Sequence, residues 1–250
     1  MPGRSTPTTR TIVNKTDIVI ATDARHCERS EAIHESERHG SPRFARDDDR
    51  KNVFVYLASQ SPRRRQLLEQ LGVAYELLLP EAHEDAEALE AVLPHEAPLA
   101  YVQRVTQLKL DAALQRLQDR NLPPAPVLCS DTTVALGRSI LGKPVDTGDA
   151  ERILFTLSGK THRVLTAVAL GTAQARQQTV SISRVTFAPM TPEQIHGYAL
   201  TGEPMGKAGA YAVQGRAAAY ISHLSGSYSG IMGLPMFETA QLLRAFGFNV

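Results

Sequence analysis

The stretch VFVYLASQSPRRRQLLEQLG, residues 53–72, sets the reading of the whole chain. An apolar run of strand character, VFVYLAS, passes into Ser61 and Pro62, an N-cap residue followed by proline at the first helical position. Leu67, Leu68 and Leu71 then recur at helical spacing until Gly72 closes the segment. A buried strand feeding into a capped helix is the opening of an α/β unit. The same stretch poses a chemical question, because Arg63, Arg64 and Arg65 occupy a first turn where the helix dipole favours acids. Charges at a helix start are often merely solvated. Three arginines together nevertheless call for a compensating anion. Phosphate suits both the free N–H groups of that turn and the paired donors of guanidinium.

Working outward, VAYELLL reads as the next strand, and a long amphipathic helix follows through APLAYVQRVTQLKLDAALQRL. Its apolar face is expected to contain Leu99, Val102, Val105, Leu108, Ala112 and Leu117, with NLPPAP ending it. PVLCSDTTVAL reads as two short apolar runs hinged at Ser130 and Asp131, with a tight connection over residues 137–142. A helix capped by Thr147 and ended at Gly159 comes next. Strands follow through RVLTAVAL and TVSISRVTF, the latter alternating so as to bury one face. TPEQIHGYALTG is a capped helix with a glycine stop, and LPMFETAQLLRAF is a terminal amphipathic helix. Strands and helices mix throughout without an internal repeat, so the fold class is α/β.

Residues 1–52 differ in character. Apart from Ile18, Val19 and Ile20, which can form a short strand, they are dense in charge and poor in large apolar side chains. Such a segment buries too little surface to offset chain entropy, so a disordered extension is expected, with residues 53–250 forming the folded domain. A docking tail or metal site is the functional alternative for this run, and a start codon placed too far upstream is another source of it. The 250-residue chain is 42% hydrophobic, enough for a substantial core, and its net charge of +1 argues against a nucleic-acid-coating or membrane-surface protein. Cys27 and Cys129 lie too far apart for a disulfide framework or a zinc motif, which suits a reducing compartment. No secretory signal or bilayer-length apolar run is present, so a cytoplasmic protein is expected.

Two further stretches carry polar groups suited to chemistry. Asp131 follows an apolar run, where α/β sheets commonly present functional side chains at a strand end. It can hold Mg²⁺ or take a proton from water, although an aspartate in a turn usually just bonds nearby backbone. Lys143, one short hairpin later, can return to the same cleft as a point charge for phosphate. The second stretch, GEPMGKAGAYAVQGRAAAYISHLSGSYSGIMGLP, is rich in small residues that permit close backbone approach, and Lys207, Gln214 and Ser227 are its candidate polar contacts. Composition does not choose among them. Neither a dinucleotide-binding nor a Walker-type glycine motif stands where it would signify nucleotide binding.

Taken together, LASQSPRRRQLLEQLG, SDTTVALGRSILGKP, LSGKTHRVLTAVAL and GEPMGKAGAYAVQGRAAAYISHLSGSYSGIMGLPMFET closely resemble the Maf family of nucleoside triphosphate pyrophosphatases. The resemblance runs in order from the first strand to the C-terminus. It implies an elongated mixed sheet flanked by helices, with two lobes around a deep cleft as in inosine triphosphate pyrophosphatases. It also implies a metal-dependent enzyme, using Mg²⁺ or Mn²⁺, that releases pyrophosphate from a nucleoside triphosphate. On this resemblance Ser59, Arg63 and Arg64 bind the triphosphate, with Lys109 and Lys143 beside them, and Arg65 is an auxiliary or solvated charge. Asp131 becomes the general base or metal-organising carboxylate. Glu84 fits by spacing as a second acidic metal residue, with Asp85 as its alternative.

Arg63, Thr132 and Gln214 look like the specificity positions of the dTTP/UTP-hydrolysing subgroup, and the Gln214 amide can match the O4 and N3–H edge of uracil or thymine. The alternatives are 7-methyl-GTP or another non-canonical nucleotide as substrate, or a nucleotide-binding regulator of septum formation. A homodimer is the expected assembly.

Overall fold

The computed structural model describes residues 54–81, 84 and 88–250. The expected N-terminal extension, its short strand and Asp85 lie outside these residues. Strand β1 (Phe54–Leu57), helix α1 (Pro62–Gln70) and strand β2 (Ala74–Leu77) form the predicted opening unit, with β1 and β2 parallel. Ser61 is the N-cap and Pro62 opens the helix, but the Ser61 side chain makes no capping bond. Gly72 takes a φ of 70°, the left-handed geometry that turns the chain out of the helix.

The remaining elements are α2 (Pro98–Asp119), β3 (Val127–Leu136), β4 (Ser139–Leu141), α3 (Thr147–Leu157), β5 (Thr161–Gly171), β6 (Arg176–Phe187), α4 (Pro192–Ala199), β7 (Ile221–Ser225), α5 (Tyr228–Met232) and α6 (Met236–Ala245). They complete a mixed seven-stranded open sheet of order β2-β1-β3-β5-β6-β7, with β4 paired to β3. Strand β1 runs parallel to β3, whereas β3, β5, β6 and β7 are successively antiparallel. No described helix is long and apolar enough to cross a membrane.

One feature of the ladders positions the site. On one edge β3 pairs with β5 from Val127 to Ala135. On the other, β1 reaches only Val127 and Leu128, and β4 takes over only at Val134. Among the described residues, 129–133 therefore have no strand neighbour on that edge, which leaves an opening inside the sheet. The expected hinge at Ser130 and Asp131 is thus incorrect: β3 is one continuous strand of 10 residues. Its polar middle faces this interruption, which is why two apolar runs appear separated in the sequence.

Side-chain alternation divides the core. Tyr56, Val127, Cys129 and Ala169 face α2 through Leu110, Ala113, Leu114 and Leu117. Val55, Leu57, Leu128, Val168 and Leu170 face α1 and α6 through Leu67, Leu68, Leu242 and Leu243. A separate cluster joins α3 and α4 to β5 and β6 through Ile153, Leu154, Ile195, Tyr198, Val164 and Phe187.

Several local expectations need adjustment. In α2, Val102, Val105 and Leu117 are buried as expected, but Leu99 is 41% exposed and Leu108 and Ala112 are half-buried. Leu110, Ala113 and Leu114 take their place. Docking on β3 and β5 sets the helix phase, and buried Thr106 joins that face because its hydroxyl donates to the Val102 carbonyl at 2.8 Å. The cap of α3 is Asp146, whose carboxylate accepts the Asp149 N–H at 2.7 Å, and Thr147 is the first helical residue. Strand β6 alternates as expected, yet its buried face includes Ser181 and Ser183 while Ile182 faces out. Ser183 tolerates burial because its hydroxyl accepts the Ser227 N–H at 2.9 Å.

Candidate active site

A cleft of about 840 Å³ opens over the interruption in the sheet. The turn from β1 into α1 lines it, together with the middle of β3, Lys143 after β4, the loop over residues 205–214, and Gly233. Asp131 lies at its base, only 6% exposed, in the interior of β3 and not at the strand end that its sequence context predicts. Lys109 projects from α2 to place Nζ 2.6 Å from Asp131 Oδ1 and 2.7 Å from Glu90 Oε1. Glu90 Oε2 then meets Lys143 Nζ at 2.7 Å. A carboxylate, an ammonium, a second carboxylate and a second ammonium thus stand in series. Each partly buried charge has an opposite neighbour, which offsets its desolvation. Burial alone would raise the Glu90 carboxyl pKa, but Lys109 and Lys143 outweigh it and hold the group below its ordinary value.

The arginines of the opening turn do different things. Arg64 donates Nε–H to the Gly233 carbonyl at 2.7 Å, Nη1–H to Ser59 Oγ at 3.1 Å and Nη2–H to Thr132 Oγ1 at 3.5 Å. Thr132 and Thr166 share a 3.0 Å hydroxyl contact, and Ser130 Oγ donates to the same Gly233 carbonyl at 2.9 Å. Three of the five guanidinium N–H groups are therefore committed to protein, leaving two for a ligand. Burial pushes the Arg64 pKa down. The Ser59 hydroxyl, which accepts from Arg64 and from the Ser61 N–H, helps to orient that arginine. Thr132 does the same.

Arg63, by contrast, has neither a hydrogen bond nor an ion pair among the described residues, and burial lowers its pKa. Lys207 shows a lowered pKa from burial and from the nearby Arg63 charge, partly relieved by Glu203. Arg65 is absent from the cleft lining. Gln214 lies exposed on the cleft wall, and its amide has no hydrogen-bond partner among the described residues. Among the described residues six cationic side chains line the cleft, namely Arg63, Arg64, Lys109, Arg116, Lys143 and Lys207, against four carboxylates, Glu81, Glu84, Glu90 and Asp131. The surplus suits a polyanion.

A family profile described as Maf-like protein matches residues 54–246. The chain belongs to the Maf family. It is 76% identical over 197 residues to the dTTP/UTP pyrophosphatase of Albidiferax ferrireducens, covering 79% of this chain and 98% of that protein. It is 69% identical to the dTTP/UTP pyrophosphatase of a Polaromonas species over the same shares of each chain. The dTTP/UTP pyrophosphatase of Cupriavidus metallidurans is 62% identical, covering 78% of this chain and 98% of its own.

Within this Maf chain Glu84, expected as a metal residue, lines the cleft but has its carboxylate paired with a cation of α2. Arg116 grips its carboxylate through Nε, 2.9 Å from Oε1 and 3.1 Å from Oε2, and that contact lowers its pKa to about 2. Its charge is spent on α2. The acid that pairs with both lysines is Glu90, in a short 3₁₀ turn (Ala88–Glu90), which the sequence reading missed. No local pattern distinguishes it from the other acids of EAHEDAEALE, and only its approach to Lys109, 19 residues on, reveals it. Ser227 also departs from expectation. Its hydroxyl caps α5 by accepting the Gly230 N–H at 2.9 Å, and it does not line the cleft.

Proposed function

We propose that this Maf protein hydrolyses dTTP and UTP to the nucleoside monophosphate and pyrophosphate. The observation that carries the reading is the alternating series Asp131, Lys109, Glu90 and Lys143, set in an otherwise cation-rich cleft. The names of the relatives at 62–76% identity supply the substrates. In the reaction a water oxygen bonds to the α-phosphorus while the bond from that phosphorus to the α–β bridging oxygen breaks. Asp131 Oδ2, the oxygen not held by Lys109, is the acceptor for the water proton, and Lys109 balances the carboxylate until then. Arg63, Arg64, Lys143 and Lys207 face the charge that grows on departing pyrophosphate.

A divalent cation fits this donor set. No group of three or more His, Cys, Asp or Glu side chains converges among the described residues. Mg²⁺, however, typically takes one or two carboxylates and completes its shell with water and substrate phosphate. Asp131 and Glu90, on either side of Lys109, are the residues that would hold Mg²⁺ or Mn²⁺. The ion would neutralise phosphate charge and make bound water more acidic. For the base, Gln214 offers a donor and an acceptor to the N3–H and O4 edge of thymine or uracil. Arg63 contacts the substrate directly in this reading, and Thr132 acts through the orientation of Arg64.

The test is pyrophosphate release with Mg²⁺ or Mn²⁺ across dTTP, UTP, dCTP, ATP, GTP, ITP and 7-methyl-GTP. Turnover should concentrate on dTTP and UTP, and Asp131→Asn should lower kcat by about 100-fold or more while the protein stays folded. Preference for 7-methyl-GTP or ITP would overturn the substrate assignment, and full activity in Asp131→Asn would overturn the role of that residue.

A further inference from the structure

Gln214 has no hydrogen-bonded anchor of its own among the described residues, yet the backbone on both sides of it is tied down. On one side the Ala212 N–H donates to the Tyr198 hydroxyl at 3.3 Å. On the other the Arg216 N–H donates to Glu203 Oε2 at 3.1 Å. The two acceptors are joined, because the Tyr198 hydroxyl donates to Glu203 Oε1 at 2.7 Å. Gly215 passes so close to this carboxylate that a Cβ there would lie 2.3 Å from Oε1, so the loop is moulded onto the glutamate. The Glu203 main chain also takes part, its carbonyl accepting from Lys207 Nζ. Tyr198 is itself only 3% exposed, at the end of α4 and inside the cluster that packs α3 and α4 on the sheet.

We infer that Glu203 and Tyr198 are positioning residues that hold the Gln214 loop in the geometry needed to select thymine and uracil over cytosine. This rests on the substrate reading above. Neither side chain needs to touch the nucleotide. A single amide presented by a loop discriminates only if its donor and acceptor are held in place, since a free side chain can present either end to either base. Tyr198 and Glu203 fix the two flanks of Gln214, so the backbone from which its amide projects is held to the protein core. Burial would raise the Glu203 carboxyl pKa, but the Tyr198 hydroxyl and the loop N–H groups hold it below its ordinary value, so the acceptor is ionised at neutral pH.

The experiment compares Glu203→Ala, Tyr198→Phe and Glu203→Gln with the parent protein. The readouts are kcat and KM on dTTP and dCTP, and amide hydrogen exchange of Ala212 and Arg216. Glu203→Ala should raise KM for dTTP and cut the dTTP-over-dCTP ratio of kcat/KM about 10-fold, with kcat on dTTP near the parent value. Exchange at both amides should accelerate. Tyr198→Phe should act in the same direction, chiefly at Ala212. Glu203→Gln should recover most of the discrimination, because its amide oxygen can accept from Arg216 while its NH₂ group donates to Tyr198.

Unchanged discrimination in Glu203→Ala, with exchange at Ala212 and Arg216 also unchanged, would overturn the inference even if the melting temperature fell. An equal fall in kcat on both nucleotides would overturn it too. A parent protein inactive on dTTP and UTP would sink the substrate reading instead, and the exchange data would then decide the positioning role alone.

Discussion

Two glutamates, Glu84 and Glu90, are six residues apart and have separate duties, so their substitution separates stability from catalysis. Glu90→Gln leaves Lys109 and Lys143 without the carboxylate between them, and it should lower kcat by roughly 10-fold to 100-fold with little change in melting temperature. Glu84→Gln should do the reverse. It removes the charge that opposes the buried Arg116 guanidinium and lowers thermal stability, while pyrophosphate release from the folded protein stays close to normal.

His162 yields a pH prediction. It is 2% exposed, shares a 2.8 Å bond with the Tyr211 hydroxyl, and burial lowers its pKa from 6.5 to about 4. A depressed folded-state pKa means that the unfolded chain binds the extra proton first. The contribution of this histidine is therefore complete above pH 6.5 and is lost as pH falls through about 4. Over that window it amounts to about 3 kcal/mol. Urea titrations between pH 7 and pH 4 should show the decline, and His162→Gln should flatten it; an equal slope in both proteins would exclude His162 as the source.

Helix α2 brings the site together at the level of elements. Lys109 and Arg116 are two turns apart on one face, so the helix that supplies a catalytic-cleft lysine also ties down the segment before it, through Glu84 and the Leu78 carbonyl. Arg116→Met should cost about 2 kcal/mol by leaving those acceptors unpaired, measured as a lower denaturation midpoint. The hairpin of β3 and β4 is coupled to the glycine-rich loop where the Gly209 N–H meets the Gly142 carbonyl at 3.0 Å. Gly209 has a φ of 71°, and a Cβ there would lie 2.8 Å from the Val134 methyls. Gly209→Ala should therefore destabilise the protein by about 1 to 3 kcal/mol and weaken substrate binding through the displaced loop.

Much of this element-level arrangement was legible. The run from β1 into α1 was marked by an apolar strand, Ser61, Pro62 and a leucine repeat, all local signals. Asp131, Lys109 and Lys143 followed from the family resemblance and do converge. What could not be read was anything set by neighbours distant in sequence. The continuity of β3 through Ser130, Asp131 and Thr133 depends on the ladder with β5 and on a gap in the opposite ladder. The phase of α2 depends on which sheet residues it meets. Glu90 is chosen over Glu84 by the reach of two lysines and one arginine, and that choice leaves no trace in spacing.

At the scale of the whole molecule, a near-neutral chain gathers a surplus of positive charge in one cleft among the described residues. Anion binding should therefore stabilise the fold as well as occupy the site. Inorganic tripolyphosphate should raise the melting temperature. At 100 times its Kd the gain would be about 2.7 kcal/mol, and added salt should diminish it. No shift at any concentration would argue that the cationic surplus is not a phosphate site.

The interruption between β1 and β4 has a consequence for solubility as well. A strand edge without a neighbour is a template on which another chain can add, the usual start of sheet-to-sheet aggregation. Here that edge spans only residues 129–133, recessed behind the α1 turn and the Lys143 hairpin. It is too short and too enclosed to accept a foreign strand, so this gap serves the ligand without becoming a docking edge for another chain.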